Sequence, residues 1–149
     1  MIIRLQANEQ ITLFWDMIRQ CMIESNQVPK KFQQDYAINA LERLLSGMLQ
    51  AWVIYKEDEN KDKRIHAILV SKIIDEKYYG IKILNAEALY GHRFIDDELI
   101  DEMFTKTEEF AKANGCNVMA ADFSITRVKE ILTRMGFREH RTICRKFIS

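Results

Sequence analysis

The stretch Ile81-Lys82-Ile83-Leu84-Asn85-Ala86-Glu87-Ala88-Leu89-Tyr90 is mostly apolar on both faces toward its end. A strand covered on both sides reads that way, which places it centrally in a sheet. The next segment has helical spacing. Across Asp96–Asn114, Leu99, Met103, Phe104, Thr107, Phe110 and Ala111 fall on one stripe. Asp96, Asp97 and Glu98 occupy the first turn, where acids favour the macrodipole, and Gly115 stands at the C′ position. Asn117–Phe123 then reads as a strand and Ser124 as an N-cap. Ile125–Met135 is a short helix turning Val128, Ile131, Leu132 and Met135 inward. Gly136 stops it, and His140–Ile148 closes the chain as a strand.

Working back from the same stretch, Ile65–Ile74 is its hairpin partner through a turn around Glu76–Gly80. Ala51–Tyr55 carries the strand formers Trp52, Val53, Ile54 and Tyr55. The polar run Lys56–Arg64 is a hairpin loop. Tyr36, Ile38, Ala40, Leu41, Leu44, Leu45, Met48 and Leu49 mark an amphipathic helix after the break at Pro29. Ile11, Phe14, Trp15, Ile18 and Met22 mark another over Asn8–Glu24, with Asn8 as N-cap. Ile2–Leu5 is a first short strand. The order β-α-α-β-β-β-α-β-α-β predicts an α/β fold: a mixed, mostly antiparallel central sheet flanked by helices, in a single domain over residues 1–149.

Composition agrees with one packed domain. A chain of 149 residues, 48% apolar, buries roughly 70% of the surface its unfolded form exposes. Lys plus Arg equals Asp plus Glu, so broad attraction to nucleic acid or anionic membrane is not expected. Arg138, Arg141, Arg145 and Lys146 make the last strand basic. Glu139 interrupts them and no aromatic platform for stacking bases accompanies them. Apolar runs such as Ala67–Val70 are far shorter than the ~20 residues that cross a bilayer, and Met1–Gln6 lacks a signal-peptide pattern. Cys21, Cys116 and Cys144 suit neither a disulfide framework nor a zinc site and are expected as buried thiols. His66, His92 and His140 have no metal-ligand spacing, so no metal is expected. His92-Arg93 reads as an exposed polar loop, and Trp15 and Trp52 as core residues.

The tail carries a resemblance. A central strand ending Glu87-Ala88-Leu89-Tyr90 leads to a long helix finishing Ala113-Asn114-Gly115-Cys116. A short helix ending Arg134-Met135-Gly136-Phe137 and a last strand come after it. This resembles the GNAT (N-acetyltransferase-like) superfamily, whose motifs run through the same elements in the same order. More narrowly, Ser46-Gly47-Met48-Leu49-Gln50-Ala51-Trp52-Val53 and the C-terminal Arg127-Val128-Lys129-Glu130-Ile131-Leu132, Gly136-Phe137 and Arg145-Lys146-Phe147 are similar to small GNAT-like proteins of tailed bacteriophages, of the internal virion type.

The resemblance implies a place for the diphosphate of acetyl-CoA at the start of the long helix, on a loop of the form Arg/Gln-x-x-Gly-x-Gly/Ala. There, bare backbone N–H groups and the helix dipole attract the anion. In this chain Asp96 falls where the basic or amide residue belongs. Leu99 and Asp101 fall where the small residues belong, Asp97 and Glu98 lie between, and Phe94–Glu102 contains no glycine. Three or four carboxylates are expected to face the diphosphate and repel it. The family's short helix commonly carries Asn-x-x-Ala-x-x-x-Tyr, its Tyr protonating the departing thiolate. Ile125, Val128 and Leu132 stand at those positions here, with Leu132 in place of the acid.

What survives is Glu87, where some relatives use a carboxylate to deprotonate the acceptor amine, with Tyr90 three residues on as a proton donor. The plainer reading pairs Glu87 with Lys82 or Arg93. Together these imply a GNAT-fold protein with a degenerate acetyl-CoA site, holding no cofactor and not catalytic. It would act as a phage virion component or protein-interaction module, with a virion or host protein as partner, in the virion or the host cytoplasm. The alternative is an active acetyl-CoA-dependent N-acetyltransferase using Glu87 as general base on an amine substrate.

Overall fold

A computed structural model describes residues 1–91, 93–122, 126–140, 144–146 and 148, with the side chains of 126–128 left aside. In chain order the elements are β1 (Ile2–Arg4), α1 (Asn8–Leu13), α2 (Trp15–Ser25), α3 (Gln33–Leu45), β2 (Gln50–Glu57), β3 (Lys63–Glu76), β4 (Ile81–Gly91), α4 (Asp97–Ala113), β5 (Val118–Ala121) and α5 (Thr126–Arg134). The five strands lie side by side in sequence order. Every pairing is antiparallel except β4 with β5, which is parallel.

The side-chain period of two builds two cores from one sheet. Ala51, Val53, Ile68, Val70 and Ala88 face α1–α3 and pack with Ile11, Ile18, Cys21 and Leu44. Trp52, Ile54, Ala67 and Leu69 face α4 and α5 and pack with Leu99, Met103, Phe104, Ile131 and Leu132. Ile18, Ile54 and Ile68 are fully buried, each contributing roughly 1.5–3 kcal/mol of transfer free energy. The strand expected to be central, β4, is interior in the sheet. It is β2 and the middle of β3, however, that are buried on both faces; in β4 only Leu84 and Ala88 are buried.

Several boundaries differ from expectation. The first helix is two helices meeting at Phe14 (φ −98°, ψ 6°). Its N-cap is Ala7, not Asn8, because the Gln10 carboxamide accepts the N–H groups of Gln6 and Ala7 at 2.9 and 3.1 Å. The second long helix stops at Leu45, since Gly47 turns the chain at φ +80°. Met48 is consequently exposed, while Leu49 reaches the core from the loop before β2. β2 and β3 extend past their predicted ends and shorten the hairpin loop to 58–62. Gly115 (φ +75°) and Gly136 (φ +89°) end α4 and α5 as anticipated.

The strand expected over His140–Ile148 includes 141–143 and 147, which lie outside the described residues; none of its described residues is in a strand. The Ser124 cap also lies outside them. Of the cysteines only Cys21 is buried; Cys116 is half-buried and Cys144 exposed. Trp52 is a core residue, and Trp15 is partly buried against the core. No helix among the described residues is long and apolar enough to cross a membrane.

Candidate functional site

Two departures from regular pairing meet on β4. Its register with β5 runs from Ile83↔Val118 to Ala86↔Ala121, but β4 continues to Gly91. The two strands therefore part company after Ala86. On the other side, Val70 pairs with Ala88 and Ser71 with Ala86, so Glu87 is the extra residue of a β-bulge. Bulges re-aim side chains and interrupt a ladder, and they recur beside functional sites.

The Glu87 carboxylate accepts a hydrogen bond from Asn85 Nδ2 at 3.0 Å. Among the described residues it makes no salt bridge with Lys82 or Arg93, the partners considered from sequence; Asn85, two residues back on the same strand, holds it instead. The charge of Glu87 also reaches a phenol that the sequence did not single out. Tyr36 of α3 is half-buried, and burial first, then the negative charge of Glu87, pushes its hydroxyl above the ordinary tyrosine value. Asn26 Nδ2 donates to Tyr36 Oη at 3.0 Å, and Arg145 Nη1 donates to the Asn26 carbonyl at 3.4 Å. Tyr90, the donor expected from sequence, packs against the α1–α3 core and accepts a long 3.5 Å bond from Gln20 Nε2. Ser25 Oγ donates to the Leu89 carbonyl at 2.8 Å and Cys21 Sγ to the Ile68 carbonyl at 3.3 Å, tying α2 to β3 and the end of β4. Burial pushes the Cys21 thiol from an ordinary 9.0 up to about 12, so it is no nucleophile. Tyr36 was legible only as an apolar helix position, since nothing in its own helix reveals the carboxylate whose charge it feels.

The start of α4 is a second arrangement. Asp96 is the N-cap, its Oδ1 accepting the Leu99 N–H at 2.9 Å, and its other carboxylate oxygen pairs with the Lys56 ammonium from β2. The hydrogen bond from Lys56, followed by that from Leu99, holds the Asp96 carboxyl below its ordinary value. The preceding loop is pinned by His66, whose Nδ1–H donates to the Phe94 carbonyl at 2.7 Å and whose own carbonyl accepts from Arg93 N at 3.1 Å. His92 lies outside the described residues.

The acids expected to crowd this turn divide. Asp97 leans toward Arg134 of α5 at 3.5 Å, and Glu98 and Asp101 are exposed. Leu99 is 2% exposed and points into the core, so it does not block the turn. Asp96 is the acid that caps the helix, and its carboxylate already holds the Leu99 N–H and the Lys56 ammonium where the resemblance places a diphosphate.

Leu132, at the family's tyrosine position, is a core residue near the Phe104–Phe137 ring pair, whose centroids lie 5.5 Å apart. Ile125 and the Val128 side chain lie outside the described residues. A hollow of about 20 Å³ between β3–β5 and α4, lined by Leu69, Leu84, Met103, Met119 and Phe137, has room for roughly one water-sized sphere. No group of three or more His, Cys, Asp or Glu able to hold a metal occurs among the described residues.

No family model and no curated protein matches this chain. Solved structures do. A predicted acetyltransferase with acetyl-CoA from Clostridium acetobutylicum superposes with a TM-score of 0.69 at 13% identity, over 99% of this chain and 96% of its own. The aminoglycoside N-acetyltransferase AAC(6')-Iy, in complex with a bisubstrate analogue of CoA, does so with 0.67 at 15%, over 100% and 99%. The aminoglycoside 6'-N-acetyltransferase of Acinetobacter haemolyticus gives 0.64 at 17%, over 100% and 98%. Likeness over whole chains, with the same open sheet and flanking helices, means that this chain has the fold of the GNAT acetyltransferases.

Proposed function

We propose that this chain is a GNAT-fold binding protein that does not carry out acetyl transfer. One observation carries the reading: the Asp96 carboxylate caps α4 and pairs with Lys56 where the fold's cofactor diphosphate would be held. A second anion there would have to compete with Asp96 for both the Lys56 ammonium and the Leu99 N–H. A thioester that is neither bound nor oriented cannot react at a useful rate. In keeping with the phage-protein resemblance of its segments, the chain would serve as a virion component or interaction module, with a virion or host protein as partner.

Titrating acetyl-CoA into the pure protein, by calorimetry and by thermal shift, tests this. The expected result is no heat of binding and an unchanged melting temperature. Micromolar binding with a melting temperature that climbs with ligand concentration would overturn it. Mass spectrometry of purified particles from the source tests the virion role, and absence of the chain from them removes it.

The bulged Glu87 favours a second reading, an acetyl-CoA-dependent N-acetyltransferase with Glu87 as general base on an amine. The carboxylate lies where β4 and β5 separate, bonded to the Asn85 carboxamide and near enough for its charge to act on the Tyr36 phenol. Acetyl transfer to a polyamine or aminoglycoside panel, lost in Glu87→Gln, is the result that would establish it.

A further inference from the structure

β3 outruns β2. Its pairing with β2 ends at Gln50↔Ser71, whereas its pairing with β4 continues to Glu76↔Ile81. Among the described residues, Lys72–Glu76 therefore has a strand neighbour on one side only. The chain ahead of β2 does not cover the other side with a strand. Leu49 turns into the core, its N–H bonded to the Arg43 carbonyl at 3.1 Å, and Met48 stands 61% exposed. An edge of this kind is a template for one more strand.

The residues Lys72-Ile73-Ile74-Asp75-Glu76 indicate which strand fits. In an antiparallel pair related by a twofold axis normal to the sheet, opposed residues share a face, so the pairing must be centred on a residue. Centred on Ile74, it sets Lys72 against Glu76 of the other copy at both ends and Ile74 against itself. It uses all five open positions and stops where β2 begins on one side and the 77–80 turn on the other. Centred on Ile73, it would drive the second copy into β2; centred on Asp75, it would demand pairing from the turn. Neither Lys72 nor Glu76 has an ion-pair partner among the described residues. The same axis brings the turn of one copy, with Tyr78 97% and Tyr79 75% exposed, beside the Met48 end of β2 in the other.

We propose that the Lys72–Glu76 edge of β3 is a self-association site, at which a second copy of this chain adds antiparallel, in the register centred on Ile74. Parallel addition in register opposes Lys72 to Lys72 and Glu76 to Glu76, so the charges select the antiparallel partner. The inference stands apart from the fate of acetyl-CoA, because it rests on the edge of β3 turned away from β4 and uses none of the residues named for acetyl transfer.

Sedimentation velocity of the full chain over a concentration series tests it. A reversible monomer–dimer equilibrium is expected. Lys72→Glu and Glu76→Lys should each weaken it by about tenfold, since two symmetry-related pairs turn repulsive. The double exchange K72E/E76K should restore it. As a measurement independent of that cycle, Ile74→Cys in a Cys144→Ser background should oxidise to a covalent dimer, because directly opposed Cα atoms lie about 4.5–5.5 Å apart, within disulfide reach. A chain that stays monomeric and does not cross-link, or a dimer indifferent to both charge reversals, would overturn the proposal.

Discussion

The Asp96 carboxylate and the Lys56 ammonium, from the start of α4 and the end of β2, form an ion pair across the mouth of the helix. Asp96 also caps that helix through Leu99 N–H. Asp96→Ala should lower the melting temperature by a few degrees and Asp96→Asn by less, because Asn keeps the cap and loses only the ion pair.

The same pair sets a pH dependence. Asp96 has a folded pKa below its ordinary 3.8, so its contribution is complete above the unfolded value and vanishes as pH falls through the folded one. The gap in melting temperature between wild type and Asp96→Asn should close on acidification below 3.8. A gap that widens there would contradict the assignment.

Placing a tyrosine at position 132, as the resemblance would have it, should harm the fold. Leu132 is 8% exposed in the core beneath α4 and α5, and Leu132→Tyr adds volume and a hydroxyl to a site lined by apolar side chains. A loss of about 1–3 kcal/mol is expected from overpacking, read as a lower urea midpoint with unchanged slope.

A buried relay crosses β2 and β3: Trp52 Nε1 donates to Ser71 Oγ at 2.9 Å, and Ser71 Oγ donates to Gln50 Oε1 at 2.9 Å. Ser71→Ala strands the indole N–H and the carboxamide oxygen together. Denaturant unfolding followed by tryptophan fluorescence should report a loss of about 1–3 kcal/mol.

Cys21 should make stability fall in alkali. The folded thiol keeps its proton up to about 12, while the unfolded thiol releases it near 9.0. Between those values the unfolded state binds fewer protons, so stability drops as pH rises, by at most about 1.4 kcal/mol per pH unit. Cys21→Ala should remove that slope, whatever its cavity costs. In native alkylation at neutral pH, exposed Cys144 should react first and Cys21 only on unfolding.

Much of this fold was legible because local signals agreed with the tertiary result. The α4 stripe from Leu99 to Ala111, the acids at the head of that helix and the glycines after α4 and α5 each act within a few turns of chain, so their neighbours in sequence are their neighbours in space. Where the fold overrode periodicity, the reading failed. Apolar spacing carried the second long helix through Met48 and Leu49, yet Gly47 turned the chain first. Cys116 and Cys144, counted as core residues, lie outside the helices and strands whose apolar faces make the two cores.

The site was legible as residues and not as relationships. From sequence, Glu87 stood out on its strand, and the acids stood out at the head of α4. That Glu87 bulges, that its charge reaches Tyr36, and that one acid of the group is clasped by Lys56 depend on strands and helices far apart in the chain.

The succession of strands and helices from β1 to α5, apart from the break at Phe14, and the lack of glycine in Phe94–Glu102 were determined by the sequence itself, because side-chain period and backbone freedom are local properties. Which carboxylate caps the helix, which phenol feels the charge of Glu87, and which edge of β3 stays open among the described residues were decided only by tertiary structure. Charge pairing and burial act through space, and folding alone sets those distances.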